Sequence, residues 1–406
     1  MKRRRVLILA HDFSPAASAG ALRATRLARH LPAFGWEPIV VTATHKASDA
    51  PGAPPCTTIY AHGIDAKQTL SWRGHYWSLL TFPDRFASWA ITAAWRASQE
   101  TRRRPADAIF STSPPVSAHV AALALRARTE LPWVAELRDP WNLLHPFGPV
   151  LRSIDARLAR RVYATADRIV VTTGELGDRL RSSQGEAIGA RVRVVANAHE
   201  ESDFVDAAPA PPTDAFTLVH AGTLGGSYRP TDGLIRGIRL ALDRHDLPQA
   251  TRLDLLGVTA EVEPELRRAI DELDLARHVT VHPRQPHAKA LQAIRCASVL
   301  VVLQNHDAFG SSLPSKLWEY VRSSRPILAV APPDSAVARF LEDVPGAVLV
   351  PHDEPAAIAA SLGRLAHAWR IDPIRAYARP DVVHRADVLA VSVATVRDER
   401  ANATDR

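Results

Sequence analysis

Short runs of aliphatic and β-branched residues alternate with longer stretches rich in Ala, Leu and Arg, and this alternation constrains the fold more than any other feature. Strands that alternate with helical stretches form βαβ units and parallel sheets. The first set of predicted strands is Arg5–Ala10, Pro38–Thr42, Ala108–Ser111, Trp133–Glu136, Arg168–Thr172 and Arg191–Ala196. The second set is Thr217–Ala221, Arg252–Leu256, Val279–Val281, Val299–Leu303, Ile327–Ala331 and Ala347–Val350. The fold class is therefore α/β, with two doubly wound, Rossmann-like domains.

The length of 406 residues suits two domains, each with its own core, at roughly 100–200 residues per domain. A proline-rich stretch, Ala207–Thr213, is typical of a linker because proline fixes φ and removes a hydrogen-bond donor. The expected organisation is a first domain over 1–198, a linker over 199–213, a second domain over 214–378, and a helical segment with a tail over 379–406.

Composition excludes several classes of protein. With 46% apolar residues the chain is not disordered, and two cysteines exclude a disulfide scaffold. No apolar run approaches the roughly 18–20 residues of a membrane span, so we expect a cytoplasmic protein. The net charge of +7 suits anionic partners, but it also fits a mere bias in composition. The basic residues form no arm or block, and we expect no nucleic-acid partner.

Three segments of the first domain place polar residues after predicted strands, where ligands bind in open α/β sheets. Gly20 and Arg23 follow the first strand, in a loop whose small residues let a ligand, an acceptor in the hypothesis developed below, approach the backbone. His119 follows Ser111–Ser117, and Arg138 precedes Asp139 at the end of another strand. His119 and Asp139 are the candidate catalytic residues, since Asp139 suits orienting or deprotonating an acceptor hydroxyl. An ordinary loop, a packed histidine and an Arg–Asp pair that closes a turn are the alternatives.

A Gly-rich turn follows the first strand of the second domain. Gly222, Thr223 and Arg229 are its candidate donor-binding residues, because backbone amides in such a turn can cradle a phosphate that Arg229 neutralises. No Gly-Lys-Ser/Thr sequence follows, which excludes a Walker A loop. A plain turn that uses Gly for its φ angles is the alternative.

A polar loop then precedes a helix that is predicted to begin near Pro314. Ser312, Leu313 and Lys316 lie at its start, where free amides and the helix dipole favour a diphosphate. Glu319 lies one turn further and suits ribose hydroxyls. The alternative is that Lys316 and Glu319 are solvated surface residues.

Aromatic residues concentrate in the segment Trp72–Trp95, which contains four of the nine Trp residues. Trp and Tyr favour interfaces that are apolar on one side and wet on the other, so this segment suits a lipid-linked or bulky acceptor. Aromatics that fill the core between helices are the competing interpretation.

Taken together, these motifs resemble the GT-B fold glycosyltransferases, in particular the retaining family 4 enzymes of the bacterial polysaccharide type. The resemblance covers essentially the whole chain. It is carried by Phe110–His119, Pro132–Trp141, His220–Leu224 and Pro314–Tyr320, with Pro83-Asp84, Trp89, Asn197 and Asp203-Phe204 also in place.

The resemblance implies an acceptor-binding first domain and a second domain for a nucleotide-diphosphate sugar, facing a cleft. It also implies a terminal helix, Asp381–Arg400, that crosses back to the first domain. Glu319 matches the family's ribose-contacting Glu, and Arg229 matches its phosphate-binding basic residue. Asp139 stands where many relatives have a His that contacts the donor sugar.

Two positions depart from the family pattern. Ser311 replaces a Glu that holds the sugar, and Thr223 stands where many members carry Arg. Because of these two departures, the resemblance does not identify the donor sugar.

The implied reaction is hexosyl transfer from a nucleotide sugar to a glycan or lipid-linked acceptor, with retention of configuration. No D-x-D motif occurs, so we expect no metal and no other cofactor. Peripheral contact with the inner face of a membrane is a hypothesis from the aromatics and the basic charge. The rival functions are a GT-B sugar-nucleotide epimerase or hydrolase, and a non-catalytic GT-B binding subunit.

Overall fold

The computed structural model describes residues 3–16, 18–43, 54–69, 81–141, 147–205, 214–224, 231–304 and 312–373. Within these ranges the chain forms two compact units, the first running to Asn197 and the second beginning at Ala198. Each unit contains one parallel sheet with helices. None of the helices in the described ranges has both the length and the hydropathy of a membrane span.

The first unit has a seven-stranded parallel sheet in the order β3-β2-β1-β4-β5-β6-β7. Its strands are β1 (Arg4–Leu9), β2 (Trp36–Thr42), β3 (Thr57–Tyr60), β4 (Ala108–Ser113), β5 (Trp133–Leu137), β6 (Arg168–Val171) and β7 (Val192–Val194). Its helices are α1 (Ala19–His30), α2 (Ala66–Thr69), α3 (Ala87–Arg103), α4 (Ser117–Thr129), α5 (Pro149–Thr165), α6 (Gly174–Gln184) and α7 (Glu186–Gly189), with a 3-10 turn over Leu31–Phe34.

Both faces of this sheet are buried. Successive side chains of a strand point to opposite faces, so each strand contributes to two apolar layers. Ile8 packs with Leu27 of α1 in one layer, whereas Leu7 packs with Trp89 and Trp133 in the other. This double burial explains why the strands read as continuous apolar runs.

The second unit has a six-stranded parallel sheet in the order β10-β9-β8-β11-β12-β13. Its strands are β8 (Phe216–Leu224), β9 (Thr251–Val258), β10 (Val279–His282), β11 (Val299–Leu303), β12 (Ile327–Val330) and β13 (Ala347–Val350). Its helices are α8 (Asp232–Asp243), α9 (Glu263–Glu272), α10 (His287–Cys296), α11 (Lys316–Ser323), α12 (Ala336–Leu341) and α13 (Pro355–Ile371), with a 3-10 turn over Glu201–Phe204.

All twelve predicted strands coincide with observed strands, and the predicted fold class of two Rossmann-like units is confirmed. The strand that sequence reasoning missed is β3, a four-residue strand at the edge of its sheet that is only partly buried. A short edge strand of this kind carries little of the apolar pattern that identifies a buried one. The linker stretch 207–213 and the predicted helix over 381–400 lie outside the described residues.

The predicted aromatic segment separates into two environments. Trp89 is fully buried in α3, whereas Trp95, one and a half turns further along, is 55% exposed. Phe82 is half-buried and its ring lies 5.5 Å from that of Phe147. Trp72, Tyr76 and Trp77 lie outside the described residues.

Asp84 connects the beginnings of two helices in the first unit. Its carboxylate is 2% exposed and accepts hydrogen bonds from the Ser117 amide (2.7 Å), the Ser117 hydroxyl (2.7 Å) and the Phe86 amide (2.8 Å). Ser117 is the first residue of α4, so the carboxylate also faces the positive end of that helix.

We expect Asp84→Ala to lower the free energy of unfolding by about 2 to 3 kcal/mol, because it leaves buried donors without their charged acceptor. Urea denaturation measures the change. The control is Asp178→Ala, which removes a largely exposed partner of Arg181 and should change stability by less than about 0.5 kcal/mol. Equal effects of the two substitutions would contradict this account of Asp84.

Candidate functional site

The predicted site residues fall at the carboxyl edges of the two sheets. In the first unit the strand order reverses between β1 and β4, and in the second between β8 and β11. At such points the connecting loops diverge and leave a crevice for a ligand. The two crevices are described separately below.

In the second unit, β8 is distorted where it reaches this edge. Its pairing with β9 is irregular between Ala221 and Leu224, which leaves Gly222 and Thr223 exposed. Gly222 has φ +134°, a conformation that favours glycine. The neighbouring Gly257 is equally constrained, because a Cβ atom there would lie 2.7 Å from the carbonyl oxygen of Gly222. Such a bulge presents backbone groups beside a binding site.

Lys316 begins α11 and lies 7% exposed, contrary to the interpretation of a solvated surface residue. Its Nζ is 2.8 Å from Nε2 of His220, a fully buried residue of β8. His220 Nδ1 is 3.0 Å from the Val301 carbonyl oxygen. These contacts are satisfied together when Nδ1 carries the proton and Nε2 accepts from the Lys316 ammonium. Sequence reasoning named His220 only as the first residue of the His220–Leu224 motif and gave it no role.

Two described residues that precede α11, Gln304 and Ser312, are hydrogen-bonded to each other. Gln304, directly after β11, donates from Nε2 to the Ser312 carbonyl oxygen at 3.2 Å. Ser312 Oγ is buried and has no hydrogen-bond partner among the described residues. Leu313 is half-buried. A buried hydroxyl without a partner is costly, and a ligand oxygen would satisfy it.

Glu319 lies in the first turn of α11 and is also 7% exposed. Its Oε1 is 3.1 Å from Nε2 of His287, the first residue of α10. Asp203 completes a cluster, since the nearest ligating atoms of the three side chains lie within 4.8 Å of one another. These side chains are also of the types that hold divalent ions. Sequence reasoning assigned a role to Glu319 alone, because the other two lie far from it along the chain.

An ion pair between Glu201 and Arg322 positions Asp203, because Glu201 and Asp203 lie on the same 3-10 turn. Glu201 accepts two hydrogen bonds from Arg322 of α11, one of them from Nε at 2.9 Å, and a further one involves His199 Nε2 at 2.9 Å. The Arg322 guanidinium also covers the Phe204 ring at 4.8 Å. Hydrogen bonding from Arg322, followed by that from His199, lowers the pKa of Glu201 to about 2. The pair therefore holds at neutral pH and is lost only as the pH falls from about 4 toward 2.

In the first unit, Arg23 of α1 and Glu136 of β5 form a buried ion pair. Arg23 donates from Nε (2.9 Å) and Nη2 (2.8 Å) to Glu136 Oε1. Its remaining N–H groups reach the carbonyl oxygens of Val195 and Ala196 and the side-chain oxygen of Asn197. All five N–H groups of Arg23 are therefore used within the unit. The predicted contact between Arg23 and the acceptor stays a prediction. This geometry does not favour it, because every N–H group of Arg23 already has a partner.

Arg138 is the guanidinium that lies at the edge of this sheet. Thr112 links it to the ion pair, donating to Glu136 Oε2 at 2.7 Å and accepting from Arg138 Nε at 3.1 Å. Arg138 Nε also reaches the Ser113 carbonyl oxygen at 3.0 Å. A Cβ atom on Gly20 would lie 2.5 Å from Arg138 Nη1, so the glycine makes room for this side chain. The structure thus brings together Gly20 and Arg138, which the sequence separates widely.

Asp139 follows Arg138 and is half-buried. Burial lowers the pKa of Arg138, and the charge of Asp139 is the largest influence that opposes this. Asp12, after β1, lies in the same electrostatic environment. A hydrogen bond from His11 contributes most to lowering the pKa of Asp12, which also accepts from Ser18, the cap of α1, at 2.9 Å. Sequence reasoning did not single out Asp12.

His119 is fully buried in α4. Its Nδ1 is 2.7 Å from Ser111 Oγ and its Nε2 is 2.8 Å from Ser113 Oγ. The ring stacks on that of Trp141, with centroids 5.9 Å apart. Burial, followed by the charge of Arg138, lowers the pKa of His119 to about 3, so the side chain is neutral. Its catalytic role stays a prediction, and with both nitrogens engaged the geometry favours a positioning role.

Comparison with known proteins places this geometry in a family. Residues 18–198 match the model of the glycosyl transferase 4-like domain. The N-terminal unit is a glycosyl transferase 4-like domain. The resemblance of this unit to family 4-like glycosyltransferases is thereby confirmed. No curated protein matches the chain significantly.

Solved structures share the architecture of this chain over nearly its full length. Sucrose-phosphate synthase from Thermosynechococcus elongatus is 14% identical, with a TM-score of 0.65, covering 99% of this chain and 100% of the other. Anabaena HepE, in complex with UDP and glucose, is 14% identical, with a TM-score of 0.62 and the same coverage. A putative UDP-N-acetylglucosamine 2-epimerase from Listeria monocytogenes is 11% identical, with a TM-score of 0.60, covering 100% and 98%. At these identities the likeness shows the fold alone.

Among the residues that the structure describes, the predicted site residues gather at two sheet edges. Gly20, Arg138 and Asp139 lie at the edge of the first sheet, with Arg23 and His119 packed beneath. Gly222 and Thr223 end β8, whereas Lys316 and Glu319 begin α11. Arg229 and Ser311 lie outside the described residues.

We expect the protein to lose stability through His119 as the pH falls from 7 to 5. The pKa of about 3 in the folded state lies below the unfolded value, so only the unfolded chain binds the proton in this range. The loss amounts to about 2 kcal/mol of unfolding free energy. Urea denaturation at both pH values, on the parent protein and His119→Asn, isolates this contribution. An unchanged pH slope in a folded His119→Asn protein would contradict the assignment.

Proposed function

We propose that the protein transfers a hexose from a nucleotide-diphosphate sugar to a glycan or lipid-linked acceptor, with retention of configuration and without an obligatory metal ion. The observation that carries the proposal is the start of α11. It presents a buried cation, Lys316, and a buried carboxylate, Glu319, within one turn of each other. A nucleoside diphosphate needs both charges, the cation for its phosphates and the carboxylate for its ribose hydroxyls.

The phosphate end of the donor is proposed to lie near Lys316. The amides at the start of α11 and the helix dipole attract an anion, and the Lys316 ammonium adds a full charge. Ser312 Oγ is a further donor for the same ligand. Arg229 completes the group in the proposal, as expected from the sequence.

Departure of the nucleoside diphosphate leaves negative charge on its phosphate oxygens. Fixed donors aimed at this charge stabilise the transition state without further reorganisation. Lys316 is suited to this role because its contact with His220 holds the ammonium in one place. In the proposal, these donors take the part that a divalent ion plays in metal-dependent glycosyl transfer.

The acceptor is proposed to reach the edge of the first sheet, where Arg138 and Asp139 meet Gly20. Asp139 is the proposed group that orients or deprotonates the acceptor hydroxyl. Arg138 is held at three points, by Thr112 and Ser113 at the end of β4 and by Pro114 directly after it, so its guanidinium is a fixed donor for an acceptor oxygen.

A lipid-linked acceptor requires access to a membrane. In the first unit, helices α3, α4 and α5 carry exposed side chains that suit an anionic lipid surface. Helix α4 packs against both α3 and α5. On α3, Ile91 is 75% exposed and Trp95 is 55% exposed, and on α5 Val150 is 73% exposed. Eight exposed arginines accompany them, namely Arg96, Arg102, Arg103, Arg128, Arg152, Arg157, Arg160 and Arg161. Apolar side chains with a basic surround are typical of peripheral membrane contact.

We expect one of UDP, GDP, dTDP, ADP and CMP to raise the melting temperature, because a ligand at 100 times its dissociation constant stabilises a fold by about 2.7 kcal/mol. Glu319→Ala and Lys316→Ala should each reduce the shift, measured from the variant's own unliganded melting temperature. The controls are Glu265→Ala and Lys289→Ala, which change exposed residues of the same unit.

A protein that no nucleotide stabilises would contradict the donor site and favour a non-catalytic binding subunit. A protein that binds a nucleotide sugar and consumes it equally well without any acceptor would favour an epimerase or hydrolase. Transfer that depends on an added acceptor supports the proposal.

We expect the parent protein to sediment with vesicles of phosphatidylcholine and phosphatidylglycerol, and less with phosphatidylcholine alone. Ile91→Ser combined with Trp95→Ser should weaken binding roughly tenfold or more, since each apolar side chain contributes about 1.5–3 kcal/mol when fully buried. The matched control is Ile371→Ser, which alters an isoleucine of 73% exposure in the second unit. Equal binding by both variants would remove the membrane from the proposal.

A further inference from the structure

The carboxylate of Glu319 is surrounded by more recognition chemistry than a single ribose contact requires. His287 Nε2 lies 3.1 Å from Glu319 Oε1, and Asp203 brings a second carboxylate to within 4.8 Å. The three residues come from a 3-10 turn, from the first turn of α10 and from the first turn of α11. Their meeting is therefore a product of the fold and not of neighbouring positions in the sequence.

His287 restricts the orientation of the Glu319 carboxylate. A hydrogen bond at 3.1 Å fixes one oxygen, and a carboxylate can accept about four such bonds, so the pairing does not exhaust it. The side chain of His287 is 25% exposed and that of Glu319 is 9% exposed, so the bond lies between the interior and solvent. A ligand can approach such a carboxylate while its orientation is maintained from behind.

Asp203 is held near Glu319 by contacts that do not involve either carboxylate. The Glu201–Arg322 ion pair and the Arg322–Phe204 contact attach the 3-10 turn to α11, one turn beyond Glu319. The 3-10 turn that bears the second carboxylate is therefore attached to the helix that bears the first.

Two carboxylates beside an imidazole can serve a vicinal diol or a divalent cation. A hydroxyl lies 2.5–3.0 Å from its acceptor, so acceptors up to 4.8 Å apart can each take one hydroxyl of a ribose diol. A cation is less favoured here. Glu319 lies at the positive end of α11, and Lys316 and Arg322 flank it on the same helix.

We propose that Asp203, His287 and Glu319 together select the ribose diol of the donor nucleotide, with His287 as the positioning residue for Glu319 and Asp203 as the second hydroxyl acceptor. This inference rests on the proposed function, since it concerns the same donor. It adds two residues that determine the preference for a ribonucleotide over a deoxyribonucleotide.

The test compares UDP and GDP with their 2′-deoxy counterparts by calorimetric titration of the full chain. We expect the parent protein to bind the ribonucleotide about tenfold or more tightly. His287→Ala and Asp203→Asn should weaken binding of the ribonucleotide and leave binding of the deoxyribonucleotide nearly unchanged. The ratio of the two dissociation constants should therefore approach one. His287→Gln retains a donor for Glu319 and should restore most of the preference, whereas a merely structural loss would not be rescued.

The control is His282→Ala, which disrupts a half-exposed pair with Asp254 (3.5 Å) away from the cluster and should keep the parent ratio. A parent protein that binds no nucleotide would overturn both this inference and the proposed function. Nucleotide binding that depends on Glu319, with a ratio unaffected by His287→Ala and Asp203→Asn, would overturn this inference alone. Stabilisation by Mn²⁺ or Zn²⁺ alone, lost in all three variants of the cluster, would identify a cation site and overturn it as well.

Discussion

The N-terminal unit depends on the buried ion pair between Arg23 and Glu136. Removing two charges from water costs several kcal/mol each, and their attraction offsets this only when the remaining donors and acceptors are also satisfied. Here Arg23 uses all five N–H groups, three of them on the segment Val195–Asn197 that ends the unit. Glu136 uses both oxygens, the second through Thr112. The pair therefore joins α1, the carboxyl ends of β4 and β5, and the last residues of the unit.

The Arg23–Glu136 pair also determines the position of Arg138 at the sheet edge. Thr112 can accept from Arg138 because its own hydrogen is committed to Glu136. Arg138 is thereby kept at the sheet edge, in the space that Gly20 leaves. His119 contacts Ser111 and Ser113 at the carboxyl end of β4, the same strand end that holds Arg138. The polar groups inside the unit thus serve as the framework on which the groups at its edge are positioned.

The sequence predicted the strands well because both faces of each sheet are buried, which gives apolar runs that few other structures share. It also placed Arg138, Asp139, Lys316 and Glu319 at strand ends or at a helix start, and their functional roles stay predictions. It named His220 and Asp203 only as parts of motifs and gave no role to them or to His287. Their importance arises from contacts across 32 to 116 positions of the chain, as between His287 or Asp203 and Glu319. It likewise could not show that Arg23 uses all its N–H groups in internal contacts, whereas Arg138 lies at the sheet edge.

In the proposed function, helix α11 recognises a ligand of mixed polarity. Its first residue is a buried cation whose direction is fixed by His220, and the residue one turn later is a buried carboxylate whose direction is fixed by His287. The helix dipole reinforces the cation toward phosphate and stabilises the carboxylate in the first turn. Opposite charges one turn apart would neutralise each other on a free surface. Each is kept separate here by its own histidine, and a nucleoside diphosphate, acidic at one end and a hydroxyl donor at the other, is complementary to that arrangement.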